Sequence, residues 1–205
     1  MTDQQYIYKG FSRRQKIYLG FKRVLDILFS FFAIVLLSWL MLICAVLIKL
    51  TSCGPIIFKQ QRYGRYGVPF TIYKFRSMRV DCKDINPTNM TQEQHDQMVT
   101  KWGHIMRKLS LDELPQLFNI LKGDMSLIGP RPDIIEEEVV IVKSSFVPSP
   151  FAVRPGLTGR AQVAIQRQHN RAMKGNEDSC YVKTLSFKQD VKIFFLTFKV
   201  IFGGD

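Results

Sequence analysis

The sequence is poor in the residues that build metal sites and disulfide frameworks. It has four cysteines and three histidines in 205 residues. No two cysteines have the short spacing of a zinc site, so we expect reduced thiols, as in a cytosolic setting. A Gly-x-Gly-x-x-Gly motif and a Walker loop are also missing, which removes the signatures of Rossmann and P-loop nucleotide sites. Internal repeats and low-complexity tracts are absent from the sequence as well.

Acidic residues are scarce beside basic ones. The chain has 17 Asp and Glu against 29 Lys and Arg, a formal net charge of +12. Such a balance favours an anionic partner, which the charge alone leaves open between nucleic acid, an anionic lipid surface and phosphorylated substrates. The length is sufficient for one compact domain and an anchor.

One long apolar run stands near the N-terminus. Residues 27–48 are 22 residues without a charge, enough for ~33 Å of helix and therefore for a bilayer core. No small-residue cleavage site follows, so we expect the segment to be retained. A single spanning helix is the simplest interpretation. Basic residues flank the run on both sides, however, which favours a segment that returns to the same face. They are Arg13, Arg14, Lys16, Lys22 and Arg23 before it, and Lys49, Lys59, Arg62 and Arg65 after it.

The most informative stretch is 110–132, which opens with the adjacent carboxylates Asp112 and Glu113 and closes on Arg131 between two prolines. Neighbouring acids with cations on both sides are expected where phosphates and a metal ion meet a nucleophile. The ordinary alternative is a helix start, in which Ser110 and Glu113 form a capping box.

Several flanking segments have recognisable patterns. Residues 55–61 and 70–75 predict two strands of a hairpin around a turn at 64–67. Its mixture of basic and aromatic residues suits a membrane interface, single-stranded nucleic acid or a plain solvated face, and the adjacent apolar run favours the membrane. Residues 81–99 predict a polar surface loop, and residues 100–109 a helix. Residues 186–202 predict a basic amphipathic helix, either on anionic lipid or covering the core.

An arginine on a stiff turn is found at Arg154, followed by Pro-Gly-Leu-Thr-Gly. The glycines Gly156 and Gly159 would let backbone amides approach an anion. An ordinary turn is the alternative. The presence of Arg107 and Arg131 elsewhere in the chain favours anion binding.

Taken together, six motifs in one order resemble the small monotopic phosphoglycosyl transferases of bacteria, the sugar transferases that begin membrane-associated glycan assembly. The resemblance extends from about residue 20 to the end of the chain. The motifs are Lys22 to Asp26, Gly54 to Gln60, Tyr73 to Met78, Asp112 to Pro132, Arg154 to Gln162 and Ser186 to Asp190.

The resemblance implies an α/β fold that is mostly helical with a small β-hairpin. A re-entrant membrane helix and amphipathic interfacial helices would surround a compact cytoplasmic catalytic domain. The corresponding division is a basic segment at 1–22, a membrane-inserted helix at 23–50 and the catalytic domain at 51–205. Family members commonly break the membrane helix with a Ser-Pro pair. This chain has Ser38-Trp39 instead, and Ser38 could bend the helix by bonding to an earlier carbonyl.

By the same resemblance, the chain transfers a sugar 1-phosphate from a nucleoside diphosphate sugar, usually a UDP-sugar, to polyprenyl (undecaprenyl) phosphate. Asp112 is the nucleophile of a covalent aspartyl-phosphosugar intermediate, and Glu113 is the ligand of Mg²⁺. The reaction is expected at the cytoplasmic face of the bacterial inner membrane, without nucleic acid. The remaining expected site residues are the phosphate binders Arg107, Arg131 and Arg154, the lipid-phosphate candidates Lys74 and Arg76, and the supporting acids Asp178 and Asp190.

Two other functions fit parts of the pattern. In a membrane-tethered binding module the acids would cap a helix and the arginines would bind anions, without chemistry and without magnesium. In a lipid-phosphate phosphatase an aspartyl phosphate would release inorganic phosphate. The sequence leaves open the sugar, the glycan pathway and the oligomeric state, a homodimer being one option.

Overall fold

The computed structural model describes residues 10–79, 98–136, 142–165 and 170–202. The polar loop expected at 81–99 falls almost entirely outside these ranges. The architecture is mostly helical with two small sheets, which confirms the coarse fold prediction. The helices are α1 (Arg13–Thr51), α2 (Lys101–Lys108), α3 (Gln116–Lys122), α4 (Arg160–Ile165), α5 (Arg171–Lys183) and α6 (Phe187–Phe202). The strands are β1 (Ile57–Tyr63), β2 (Pro69–Phe75), β3 (Ser126–Ile128) and β4 (Gly156–Thr158), with 3₁₀ turns at Arg65–Gly67, Leu111–Glu113 and Pro150–Ala152.

Helix α1 is longer than the apolar run and is not broken within it. Ser12 starts the helix with a capping box that it forms with Gln15. The 39 residues that follow, ~58 Å at about 1.5 Å each, include a window with a mean hydropathy of 2.9, enough to cross a membrane by length and composition. Ser38 makes the expected bond to an earlier carbonyl, its Oγ donating to Val35 O at 2.8 Å, but the backbone remains helical there and the expected break is absent. A serine keeps the backbone N–H that a proline would remove.

One face of α1 packs on the rest of the protein along the whole apolar run. Its buried residues lie toward the two ends, with Lys22, Asp26 and Ser30 near the start and Cys44 and Ile48 near the end. Half-buried residues such as Ala33 and Leu37 lie between them. Cys44 and Ile48 share a hydrophobic cluster with Met106 of α2. The opposite face is exposed and apolar. It comprises Phe31, Phe32, Val35, Leu36, Trp39, Leu42, Ile43 and Val46.

The predicted hairpin is confirmed: β1 and β2 pair antiparallel from Ile57 opposite Phe75 to Tyr63 opposite Pro69. Helix α3 is fastened to it through the buried side chain of Asn119. The Asn119 amide donates to Thr71 O at 2.7 Å, and its oxygen accepts from Tyr73 N at 3.0 Å. The hairpin therefore carries its basic side chains to the segment that precedes α3.

The second sheet is a parallel pair in which three glycines bring two loops into direct contact. A Cβ on Gly156 would lie 2.1 Å from Gly129 N, and one on Gly159 would lie 2.0 Å from Gly129 O. The Gly156 amide donates to Pro130 O at 2.8 Å. The expectation that these glycines let backbone amides approach an anion therefore does not hold for the Gly156 amide, which is bonded within the protein. Both glycines serve close packing, which fixes the loop that carries Arg131.

Helix α6 confirms the predicted amphipathic helix within one residue at its start. Its inner face contributes Ile193 to a core cluster with Tyr181, Val182 and Leu185. Its outer face exposes Phe187, Val191, Phe195 and Phe198. The protein therefore exposes apolar side chains on two helices, α1 and α6.

Candidate active site

The two central carboxylates lie in a tight turn between α2 and α3. Ser110 adopts a left-handed conformation with φ 55°, which is uncommon for a residue other than glycine and is typical of strained functional segments. Its side chain makes no capping bond, and α3 begins only at Gln116, after Pro115. The capping-box interpretation of Ser110 and Glu113 is therefore wrong, and the acids are available for another role.

Glu113 is held by cations from two other motifs. Its Oε1 accepts from Lys74 Nζ of β2 at 2.8 Å and from Arg131 Nη2, just after β3, at 3.3 Å. Burial alone would raise the pKa of this carboxyl, but Arg131 and Lys74 outweigh burial and lower it. Glu113 is therefore ionised at neutral pH. The structure thus brings Lys74 and Arg131, two of the expected site residues, to this carboxylate.

Asp112 is the less constrained of the two acids. Within the described ranges its carboxylate bonds to no other side chain. Burial, followed by the charge of Glu113, raises its pKa, while Lys74 and Arg107 oppose the rise. A carboxylate with a raised pKa is more basic, and an oxygen without a partner side chain is accessible to an electrophile.

Arg107 reaches the same region from α2. Its Nε donates to Ser77 Oγ at 2.8 Å, and a Cβ on Gly103, one turn earlier in the helix, would lie 2.1 Å from Ser77 O. This close approach fastens α2 to the end of the hairpin. It explains why Arg107 contributes to the electrostatics of Asp112.

Residues 17–204 match the family model described as bacterial sugar transferase. The chain belongs to the bacterial sugar transferase family. The resemblance seen in the six sequence motifs is thereby confirmed.

Three relatives illustrate the range of this sugar transferase family. The UDP-N-acetylgalactosamine-undecaprenyl-phosphate N-acetylgalactosaminephosphotransferase of Aeromonas hydrophila is 45% identical over 198 residues, 92% of this chain and 45% of that protein. The UDP-glucose:undecaprenyl-phosphate glucose-1-phosphate transferase of Klebsiella pneumoniae is 39% identical over 189 residues, 88% and 40% of the two chains. The exopolysaccharide production protein PSS of Rhizobium leguminosarum bv. phaseoli is 38% identical over 188 residues, 87% and 94%. This chain thus spans less than half the length of the first two.

Arg154, one of the arginines expected to bind phosphate, contacts the end of α3 instead of the central carboxylates. Arg154 Nε donates to Gly123 O at 2.8 Å, directly after α3. Arg23 joins it there, with bonds of 2.6 and 2.9 Å to the carbonyls of Ile120 and Leu121. Both guanidinium groups thus complement the C-terminal carbonyls of α3. In the described part of the chain, Arg154 bonds to neither central carboxylate.

Arg76 is buried at the end of α1, with only 7% of its surface exposed. Its Nη2 donates to Ser52 O at 2.7 Å and to Ser52 Oγ at 2.8 Å. The neighbouring Lys74 instead reaches Glu113. Of the two candidates for the lipid phosphate, the structure therefore brings only Lys74 to the carboxylates.

The supporting acid Asp178 lies in α5, beside a buried lysine. Lys143 bridges it to Asp133, at 3.4 Å from Asp178 Oδ2, and also donates to Arg131 O at 3.3 Å. Burial and the charge of Asp133 raise the pKa of Asp178 to about 6, although Lys143 opposes the rise. One cation shared by two carboxylates neutralises only one of them. Because Lys143 contacts both Asp178 and the carbonyl of Arg131, Asp178 lies in the surroundings of Arg131.

The other supporting acid, Asp190, lies in a separate cluster between α1, α5 and α6. Its Oδ2 accepts from Lys22 Nζ and from Tyr18 OH, each at 2.6 Å, and its Oδ1 accepts from Tyr181 OH at 2.8 Å. Both oxygens are fully occupied by protein donors. Asp190 therefore joins helices rather than facing the central carboxylates.

Two residues near the site were missed in the sequence. Arg62 donates to Pro132 O at 3.4 Å, and the pKa of its guanidinium is lowered by burial and then by the charge of Arg131. Its basic hairpin was noticed, but the pattern did not single it out. Lys143 carried no signal at all, because its partners Asp133 and Asp178 stand 10 and 35 residues away along the chain.

The donor set fits a Mg²⁺ ion shared with substrate phosphates. Among the described residues no group of three or more His, Cys, Asp or Glu side chains could hold a metal. Mg²⁺ beside phosphates typically needs only one or two carboxylates. Asp112 and the second oxygen of Glu113, which bond to no other side chain in the described ranges, meet that requirement.

Proposed function

We propose that this chain transfers a sugar 1-phosphate from a UDP-sugar to undecaprenyl phosphate. The observation that carries the proposal is Asp112, whose carboxylate lacks a partner side chain in the described residues and adjoins the cation-held Glu113. The names of the relatives from Aeromonas and Klebsiella, both undecaprenyl-phosphate sugar phosphotransferases, support the same substrates.

The chemistry runs in two displacements. An Asp112 oxygen attacks the phosphorus that bears the sugar, the bond from that phosphorus to the UMP oxygen breaks, and UMP leaves with the electron pair. An oxygen of undecaprenyl phosphate then attacks the same phosphorus and releases the Asp112 carboxylate. The product is undecaprenyl diphosphate sugar. A carboxylate nucleophile divides one difficult transfer between two anionic substrates into two steps.

Cations make the approach of these anions feasible. Each substrate carries about two negative charges, whose repulsion at contact distance is strong. Lys74, Arg107 and Arg131 surround the carboxylates and would bind the phosphate oxygens, the arginines through paired donors. These residues also orient the sugar-bearing phosphorus toward Asp112.

The proposal includes Mg²⁺ held by Glu113, with Asp112 beside it. When bound, the ion would neutralise phosphate charge during transfer. Replacing Glu113 by Gln removes one anionic ligand, so the variant should need more Mg²⁺ or lose activity. A titration of the rate with Mg²⁺ tests this, and an unchanged requirement in an active Glu113→Gln variant would contradict the assignment.

We further propose that α1 does not span the bilayer of the bacterial inner membrane: both ends of its apolar run lie at the cytoplasmic face, and the unbroken helix inserts its exposed apolar face from that side. Both ends of its apolar run pack on one domain: Arg23 bonds to the end of α3, and Ile48 lies in a cluster with Met106. A helix that crossed the bilayer would separate these contacts by the membrane thickness. The exposed apolar faces of α1 and α6 would then contact lipid.

Reporter fusions test this topology. Reporters at the N-terminus and at the C-terminus should both give cytoplasmic signals. A periplasmic signal from either end would establish a spanning helix.

The reaction itself is tested by UMP release. Purified protein in nanodiscs receives Mg²⁺, undecaprenyl phosphate and a panel of UDP-sugars, and UMP is measured with and without each component. Release that depends on lipid, metal and one sugar supports the proposal. Inorganic phosphate instead of UMP would indicate a phosphatase, and salt-sensitive binding without any product would indicate a binding module.

A further inference from the structure

A cavity of about 310 Å³ lies beside Arg131. Its walls come from five parts of the chain: β1, the segment after β3, residues 142–143, α4 and α5. The polar and charged side chains of the lining include Arg62, Arg131, Lys143, Gln162, Lys174 and Asp178. Because Arg131 also contacts Glu113, the cavity and the central carboxylates share one wall.

Apart from Asp133, whose Oδ2 forms an ion pair with Lys143, three side chains of the cavity lining keep a buried polar atom without a hydrogen-bond partner in the described residues. They are Arg62 Nε, Gln162 Oε1 and Asp178 Oδ1. Such atoms are rare in native proteins, because each has lost its hydration without a replacement. One donor and two acceptors on side chains that line one cavity match a hydroxyl-bearing ligand, since a hydroxyl both donates and accepts.

The cavity lining carries charges of both signs. Arg62, Arg131 and Lys174 are cationic, whereas Lys143 is shared by Asp133 and Asp178, which leaves one negative charge. The cations favour a ligand that carries a phosphate. The remaining carboxylate charge favours a ligand that also offers hydroxyl donors.

The lining also argues against a nucleobase. Among the described residues that line the cavity, none is aromatic, and the apolar ones are Pro132, Val142 and Ala161. Bases in protein sites commonly stack on aromatic side chains. The volume and the polar atoms suit a hexose ring better.

We propose that this cavity binds the sugar ring of the donor substrate and selects among sugars. Arg131 holds the sugar-bearing phosphate between the cavity and Asp112. Sugar hydroxyls donate to Asp178 Oδ1 and Gln162 Oε1, and Arg62 Nε donates to a further hydroxyl. This inference rests on the proposed transfer from a UDP-sugar and adds the part of the protein that recognises the sugar.

Binding without turnover tests it. The full chain carrying Asp112→Asn is reconstituted in nanodiscs and titrated by calorimetry with four nucleotide sugars and with UDP. The sugars are UDP-glucose, UDP-galactose and their N-acetylated counterparts. Asp178→Asn and Gln162→Leu are each added to this background. We expect either change to raise the Kd of the preferred UDP-sugar at least tenfold while the Kd of UDP changes less than twofold.

Glu177→Gln is the matched control. It is the same acid-to-amide change one residue earlier in α5, but Glu177 pairs with Arg160 at 2.6 Å instead of lining the cavity. It should leave all affinities within twofold. If Asp178→Asn fails to fold, Gln162→Leu decides the result alone.

Three results would overturn the inference. Equal losses for UDP and UDP-sugar would place the nucleoside in the cavity. Unchanged affinities in folded variants would mean that water alone satisfies the three atoms. A starting protein that binds no UDP-sugar more tightly than UDP would show that the sugar lacks a site. Failure of the transferase proposal is recognised separately, by the absence of UMP release from the protein with Asp112 intact.

Discussion

Two buried polar clusters of this sugar transferase differ in how many of their polar atoms lack a hydrogen-bond partner. In the closed cluster (Tyr18, Lys22, Tyr181 and Asp190), both oxygens of the acid accept bonds from protein donors. In the open cluster (Arg62, Lys143, Gln162 and Asp178), three polar atoms have no partner among the described residues. The first arrangement holds helices together. The second leaves bonding capacity for a ligand beside Arg131.

The difference teaches how to interpret acids that sequence motifs single out. Asp178 and Asp190 were equivalent candidates in the sequence, 12 residues apart. Their partners separate them: Asp190 is saturated, whereas Asp178 shares one lysine with Asp133. Acids with spare bonding capacity, Asp112 among them, are expected to affect activity more than stability, and saturated acids the reverse.

The largest expected effect comes from Asp112→Asn. The amide has nearly the same shape but is a poor nucleophile, so UMP release should fall roughly 10³-fold or more. The thermal transition should remain within a few degrees, because the carboxylate holds no other side chain in the described residues. Retention of most of the activity would refute the nucleophile assignment.

Asp190→Ala should break the closed cluster and act mainly on stability. Removal of the acid leaves Lys22 and two tyrosine hydroxyls buried without their acceptor, which should lower the free energy of unfolding by about 3–5 kcal/mol. Denaturant unfolding followed by circular dichroism measures this. Lys188→Ala, an exposed change in the same helix, is the control and should stay within about 0.5 kcal/mol. Equal stability of the two variants would contradict the structural role.

Asp178→Asn should remove a pH dependence of stability. The pKa of Asp178 rises from its ordinary 3.8 to about 6 in the folded protein. The folded state therefore binds more protons between these values, and the free energy of unfolding falls as the pH rises from about 4 to about 6. The decline from this group is on the order of 3 kcal/mol. The free energy of unfolding, measured at pH 4, 5, 6 and 7, should decline less in Asp178→Asn than in the native protein or in the control Glu177→Gln. An identical pH dependence in all three proteins would contradict a raised pKa of Asp178.

The smallest effect is a shift in the pH profile of activity in Lys74→Met. Lys74 lowers the pKa of both Glu113 and Asp112, so its loss raises both. The acid limb of kcat/KM, measured by UMP release, should move to higher pH by about one unit. Lys59→Met alters an exposed lysine of the same hairpin and should leave the limb in place. If the pH profiles of the native protein and Lys74→Met coincide, Lys74 does not influence the pKa of the carboxylates.

Local features of this fold could be predicted from the sequence, because they depend on neighbouring residues. The hairpin followed from two β-rich runs around a glycine turn. Helix α6 could be predicted from the helical spacing of its apolar residues. The grouping of Asp112, Glu113, Lys74, Arg107 and Arg131 followed from residue type together with the family resemblance.

Contacts between distant segments could not be predicted in this way. The motif from Lys22 to Asp26 was recognisable, but its partners lie about 100 to 170 residues away: Asp26 accepts from Leu127 N at 2.9 Å, and Lys22 pairs with Asp190. Arg154 suited phosphate chemically, yet its Nε bonds to a carbonyl after α3. Which cation meets which acceptor is decided by packing.

The continuous contact of α1 with the protein has a consequence for biogenesis. Cys44 and Ile48 complete the cluster that contains Phe75 and Met106, while Ala33 and Ile34 cover the cluster around Ile120. Residues 51–205 alone would therefore expose two open hydrophobic cores and a row of unpaired polar groups. During synthesis, α1 emerges before the elements that it packs on, so it must stay beside the growing chain until its last partners arrive. Helix α1 is thus a structural part of the fold, and its removal should yield aggregates rather than a soluble domain.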